Sequence, residues 1–198
     1  MAFPNNGMRR LRTSEAMRRL VRETTVTVDN LVYPLFVRQG NGLKEPIKSL
    51  ADCFHFSPDT IVKEAQEIAR LGISAVLLFC LPDKKDKSGS EAWAENGAVQ
   101  EAIRRIKDIV PKLVVITDVC LCAYTSTGHC GVIKDGPSTP LRTGKIDNDA
   151  SCELLAKVAL SHAQAGADIV APSDMMDGRV KAIRECLEKN GFPDVAIM

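Results

Sequence analysis

Short apolar runs alternate with longer amphipathic stretches along this chain. The runs are Tyr33–Val37, Ala75–Phe79, Leu113–Val119, Ile169–Ala171 and Val195–Met198. Their length and β-branched content predict strands. The stretches between them predict helices. Ser57-Pro58-Asp59 offers an N-cap followed by proline at the first helical position. From there Ile61, Ala65, Ile68 and Leu71 recur at spacings of three and four, which predicts one buried face. Leu71-Gly72-Ile73, Ala165-Gly166-Ala167 and Asn190-Gly191-Phe192 each put glycine between a predicted helix and a predicted strand. Glycine there accepts the left-handed conformation that ends a helix. Helix, glycine, strand in repetition predicts βα units with parallel strands. Strands apolar on both faces fit a sheet covered by helices. A doubly wound sheet and a (β/α)8 barrel both satisfy this pattern.

The polar residues favour the barrel. Arg38, the group Cys80, Asp83 and Lys84, then Asp118, then Ser173 and Asp174 all stand at the C-terminal ends of different predicted strands. Barrel enzymes build their sites there. No Gly-x-Gly-x-x-Gly follows the first strand, so a dinucleotide fold has no positive support. About five strands, against eight in a barrel of typically ~250 residues, predict an incomplete barrel.

Composition narrows the function classes. The 198 residues carry 26 Lys plus Arg against 25 Asp plus Glu, a formal charge of +1. That balance gives no general pull toward nucleic acid or membrane. Locally, Arg9, Arg10, Arg12, Arg18, Arg19 and Arg22 crowd the start. They predict either a solvated helix face or an arm that docks on another subunit. No apolar run approaches the ~20 residues needed to span a bilayer. The first residues lack the plan of a signal peptide, so the expected location is cytoplasmic. Of seven cysteines, Cys53, Cys80, Cys152 and Cys186 are scattered singly, as small buried hydrophobes are in a reducing compartment.

Cys120, Cys122 and Cys130 are clustered, in Asp118-Val119-Cys120-Leu121-Cys122-Ala123-Tyr124-Thr125-Ser126-Thr127-Gly128-His129-Cys130-Gly131. Residues two apart on an extended backbone point to the same side. Gly128 and Gly131 allow the loop to fold back and return Cys130. Three thiolates make a soft, compact site for which zinc is the natural metal. Three protein ligands with an open fourth position describe a catalytic zinc; His129 as a fourth ligand would close the site. Three unligated cysteines in a packed loop, or a structural zinc knuckle, would use the same residues.

The segment Asp118–Thr125 with Gly128-His129-Cys130-Gly131 resembles the zinc signature of porphobilinogen synthases, the 5-aminolevulinate dehydratases. Ala171-Pro172-Ser173-Asp174-Met175-Met176-Asp177-Gly178-Arg179 resembles a second family signature. Further matches run through Arg9–Arg12, Leu31–Val37 and Pro137-Ser138-Thr139-Pro140 to the last residue. The resemblance implies a (β/α)8 TIM barrel, here about the first five βα units, residues 31–198, behind an N-terminal arm, residues 1–30. It implies condensation of two 5-aminolevulinate molecules to porphobilinogen, and assembly as a homo-octamer. Cys120, Cys122 and Cys130 match the zinc ligands of the zinc-dependent branch, and an allosteric Mg2+ is a further family cofactor. By the same resemblance Asp118 lies against the metal and either helps proton transfer or holds the loop by hydrogen bonds. Ser173 and Asp174 line the active-site end, or serve as the N-cap pair of a helix starting near Asp177.

There are departures. Ser49–Ser57 replaces the family's Ser-Met-Pro-Gly stretch, and Ser126-Thr127 stands where many members have His. The family's two Schiff-base lysines are expected beyond residue 198, and Lys84, Lys134 and Lys181 do not match them. By itself the chain is therefore expected to be inactive. A non-catalytic zinc-binding or interaction module of the same ancestry is the alternative. A different Schiff-base barrel, such as an aldolase, would lack both signatures.

Overall fold

The structure, a computed structural model, describes residues 7–134 and 145–198. The matched segment Pro137–Pro140 lies outside them. The chain divides into two compact units, Met1–Asn30 and Leu31–Met198. The first holds a 3-10 turn at Met8–Arg12 and a helix α1 at Glu15–Leu20. Ser14 caps α1, its hydroxyl accepting from the Met17 N–H at 3.1 Å. No residue of these two elements is buried.

Among the described residues the second unit holds one seven-stranded sheet, four α-helices and a 3-10 turn at Ser90–Trp93. Its strands are β1 (Val32–Arg38), β2 (Lys44–Pro46), β3 (Phe54–Phe56), β4 (Ala75–Leu81), β5 (Val114–Val119), β6 (Ile169–Pro172) and β7 (Ala196–Ile197). Its helices are α2 (Ile61–Arg70), α3 (Ala98–Ile109), α4 (Asn148–Ala165) and α5 (Arg179–Lys189). The five expected strands are present, in the spatial order β1-β4-β5-β6-β7 and all parallel. Among these five strands the order never reverses, whereas a doubly wound fold turns back at a switch point. It is the winding of a barrel. The two additional strands are three residues each. β3 runs parallel to β1, and β2 pairs antiparallel with β3 at the sheet edge. β3 lies in the stretch Ser49–Ser57 where the family turn is replaced, and β2 just before it.

Registry explains the layers. Leu35, Leu78, Thr117 and Val170 align as one row across four strands, and all four are fully buried against the helices. The alternate positions Phe36, Leu77, Phe79, Asp118, Ile169 and Ala171 face the other way and are only half-buried. Phe36 and Phe79 stack there at 5.6 Å between centroids. Helices therefore cover one face and leave the opposite, barrel-interior face partly open.

Ile61, Ala65 and Ile68 bury one face of α2, as their spacing predicts. Leu71 does not join them: it is the C-cap and 63% exposed. The helix also begins later than expected. Ser57 to Thr60 form a separate tight turn, with the Thr60 and Ile61 N–H groups donating to the Ser57 carbonyl. The Ser57 hydroxyl bonds Asp59 and receives the Leu43 N–H, so it anchors β2 instead of capping α2. The three helix-ending glycines have the predicted left-handed backbone, with φ of 82° at Gly72, 105° at Gly166 and 84° at Gly191.

Candidate metal centre

β5 ends at Val119 and delivers Cys120 to the C-terminal edge of the sheet. The backbone then turns at once, the Tyr124 and Thr125 N–H groups both donating to the Leu121 carbonyl. This turn, not an extended strand, brings Cys120 and Cys122 together, with their sulfurs 3.3 Å apart. The loop then folds back. Gly128 takes φ +71°, and the buried Thr125 hydroxyl donates to the His129 carbonyl at 2.8 Å. Beyond Cys130, Gly131 is pressed against α4: a β-carbon there would sit 2.6 Å from the Ser151 hydroxyl. That hydroxyl accepts the Val132 N–H at 3.0 Å.

The outcome is a three-sulfur group. The Sγ atoms of Cys120, Cys122 and Cys130 all lie within 4.8 Å of one another. Two sulfurs bound to one zinc at ~2.3 Å can be at most ~4.6 Å apart. The donor set and its spacing thus fit a single soft cation with little closure. His129 stays outside this group, and its Nδ1 accepts the Gly131 N–H at 3.2 Å. Burial pushes both the Cys120 and Cys130 thiols up; the neighbouring Cys122 and Cys130 side chains add to the rise at Cys120, whereas at Cys130 the Cys120 thiol lowers it and Cys122 raises it. Three adjacent thiolates in a partly desolvated loop need a cation to persist.

The other predicted residues gather beside this loop. Ser173 donates to Asp118 Oδ1 at 2.5 Å, joining the ends of β5 and β6. Burial raises the Asp118 carboxyl, while the Ser173 hydroxyl lowers it and the Asp174 charge raises it further. Asp174 has a fully buried side chain, 3.4 Å from Arg179 Nε. Its burial outweighs the arginine and raises its carboxyl also. The Asp174 charge acts on Cys130 and Cys152 as well, so these groups share one electrostatic neighbourhood.

Ser173 and Asp174 do not cap a helix near Asp177. Asp174 accepts the Met176 N–H at 2.7 Å in a local turn, and α5 starts at Arg179 after Gly178. Sequence reasoning missed Ser151, and it placed Tyr124 and Thr125 in the zinc signature without a role of their own. Burial raises the Tyr124 phenol well above its ordinary value, and it pairs with Cys80, whose thiol is pushed to about 12. Hydroxyls that hold a loop carry no spacing signal in a single sequence.

The family profile of delta-aminolevulinic acid dehydratase matches residues 5–198. A relative of that name from Methanothermus sociabilis is 52% identical over 198 residues, 100% of this chain and 59% of its own. Another, from Ruminiclostridium josui, is 49% identical over 190 residues, 96% of this chain and 89% of its own. A crystal structure of delta-aminolevulinic acid dehydratase (porphobilinogen synthase) from Toxoplasma gondii ME49, in complex with the reaction product porphobilinogen, superposes with a TM-score of 0.90 at 38% identity. It is matched over 100% of this chain and 54% of that one. The chain thus spans little more than half the length of the first and last of these proteins, and its sheet is an incomplete (β/α)8 barrel. With one family profile running across nearly all of it and relatives matching it end to end, the chain belongs to the delta-aminolevulinic acid dehydratase family.

Proposed function

We propose that this chain supplies the zinc-bearing part of an active site that condenses two 5-aminolevulinate molecules to porphobilinogen, with loss of water, in tetrapyrrole and heme biosynthesis. The observation that carries the reading is the three-thiol group at the C-terminal edge of a parallel sheet, beside the Asp118–Ser173 pair. Cys120, Cys122 and Cys130 would hold Zn2+. When bound, the metal supplies Lewis acidity toward a substrate carbonyl or amine. The chain's own residues then have separable tasks. Thr125 and Ser151 fix the two halves of the cysteine loop. Asp118 Oδ1 is oriented by the Ser173 hydroxyl. Its raised carboxyl is shifted in the direction that lets it hold and release a proton nearer neutral pH. Asp174 lines the same end. The two Schiff-base lysines belong to sequence outside these 198 residues, and an allosteric Mg2+ site is not among the residues proposed here.

A chimera tests this directly. Residues 1–198 joined to the remaining C-terminal part of the Methanothermus relative should form the pyrrole product from 5-aminolevulinate in a colorimetric assay. Cys122→Ala should abolish that product. An active chimera indifferent to Cys122→Ala would remove the three thiols from the chemistry. An inactive but folded, zinc-loaded chimera would favour a non-catalytic zinc module.

The partner proposed for the first unit is another copy of the chain, in a cytoplasmic homo-oligomer that the family resemblance makes an octamer. Nucleic acid and membrane are not proposed partners, and no helix among the described residues is long and apolar enough to cross a membrane. Met8, Leu20 and Val26 are 67%, 80% and 75% exposed. A six-residue helix such as α1 is marginal in water without packing. Covering those apolar side chains with a neighbouring subunit supplies that packing. Deleting residues 1–22 should therefore reduce the sedimentation coefficient of the active chimera to that of a smaller assembly. An unchanged coefficient would assign the arm another role.

A further inference from the structure

The cysteine loop is gripped from two sides. On the Cys130 side the grip is Ser151 on α4. On the Cys120–Cys122 side it is a turn after β4, residues 86–90, that none of the family motifs above includes. The Asp86 N–H donates to the Tyr124 carbonyl at 3.2 Å, and the Ser126 N–H donates to the Asp86 carbonyl at 2.7 Å. Asp86 and Thr125 thus form a parallel bridge. The Asp86 carboxylate organises the turn that carries this bridge. Its Oδ1 accepts the N–H groups of Ser88, Gly89 and Ser90 at 2.8, 2.6 and 3.1 Å and the Ser88 hydroxyl at 2.9 Å. Its Oδ2 accepts the Ser90 hydroxyl. Inside the turn Gly89, at φ +75°, lies flat on the loop. A β-carbon there would be 3.2 Å from Tyr124, 3.4 Å from Thr125 and 3.5 Å from Leu121.

We propose that Asp86 is a positioning residue for the metal centre: its carboxylate shapes the turn that sets Cys122 against Cys120 and Cys130, and so determines how tightly and in what geometry the three thiols hold a divalent cation. Metal ligands depend on the groups that orient them, and losing such a group typically costs tenfold or more in affinity. Five hydrogen bonds converge on one side chain whose backbone is paired to the loop between two ligands. The Ser90 hydroxyl is the largest cause of the carboxyl's drop below its ordinary value, so the group is a charged acceptor throughout the neutral range. The inference rests on the reading of the three thiols as a zinc site.

The test uses the 198-residue chain and two metals. Zinc affinity is measured by competition with a chromophoric chelator, and thiolate geometry by the absorption of the Co2+-loaded protein. Asp86→Ala should weaken zinc at least tenfold and shift the Co2+ bands at full loading. Asp86→Asn keeps an acceptor in the Oδ1 position and should retain most of the affinity. Asp59→Ala is the control, because Asp59 organises a comparable turn through the Gly42 N–H and the Ser57 hydroxyl, outside the cysteine loop. It should lower the apo protein's melting temperature and leave the Co2+ spectrum unchanged. Should Asp86→Ala fail to fold, Ser90→Ala removes one of the five bonds and is read the same way, with a smaller loss. Unaltered zinc affinity and Co2+ spectrum in the folded variant, or the same spectral shift in Asp59→Ala, would overturn the inference while leaving the zinc reading intact. An unsubstituted chain that binds no zinc would sink both.

Discussion

Elemental analysis of the purified chain should find about one zinc per polypeptide, and the double substitution Cys120→Ala/Cys122→Ala should bring that value to zero. The expectation follows from the donor set: three sulfurs within 4.8 Å of one another, with His129 outside that group. Removing two of three ligands leaves one half-buried thiol, which cannot hold zinc against water. The same arrangement sets the pH dependence. Burial raises the Cys120 and Cys130 thiols, so in the apo protein both carry protons at neutral pH. Zinc takes thiolates, so binding must release at least these two protons. Raised pKa values mean that protons compete more strongly, and affinity must fall as pH falls. Two protons per zinc correspond to roughly a hundredfold loss per pH unit below neutrality. Proton release measured by titration in weak buffer checks this. Zinc retained in the double variant, or binding without proton release, would exclude the three thiols as its ligands.

Residues 1–198 expressed by themselves should give no pyrrole product above background. As the family resemblance implies, the reaction uses two lysine amines placed against two substrate carbonyls. Three of the chain's lysines are engaged elsewhere. Lys134 lies 3.6 Å from Asp147, and Lys181 lies 3.7 Å from Glu185 with both side chains exposed. Lys107 is held by Asp168 and by the Leu113 carbonyl, beneath the N-terminal end of β5. A paired or solvated ammonium is not the desolvated amine that forms a Schiff base. Holding the reactants without covalent activation forgoes several orders of magnitude in rate. The sheet supplies a second reason. Its interior face is only half-buried at Phe36, Leu77 and Phe79, although Ile116 on the same face is buried, and two-residue β7 forms one of the sheet's edges. Apolar faces and open edges invite association with other chains. Turnover by this segment that Cys122→Ala abolishes would show that one of its own lysines does the covalent work.

The sequence by itself determined the elements whose signals are local. Five apolar runs became five parallel strands, and Gly72, Gly166 and Gly191 end their helices because a left-handed residue is a property of the backbone at one position. The three thiols and the two long motifs were legible because chemistry restricts which residue types serve there. Tertiary structure decided what depends on residues distant in the chain. The polar residues at strand ends and the family motifs already favoured a barrel; the neighbour order β1-β4-β5-β6-β7 itself is set by contacts between distant strands. β2 and β3, at three residues each, are too short to show a period and exist only because β1 offers an edge. Leu71 fits the helical spacing yet is exposed, because the helix ends one residue before it. Ser57 and Asp174 have the composition of helix caps, but closer partners, Leu43 with Asp59 and Met176 with Arg179, claim their oxygens. Cys120 and Cys122 meet through a turn that starts where β5 stops, and His129 is drawn off by the Gly131 N–H. Asp86 was invisible for the same reason: its significance is a backbone bridge to Thr125, made only when the loops after two neighbouring strands pack together.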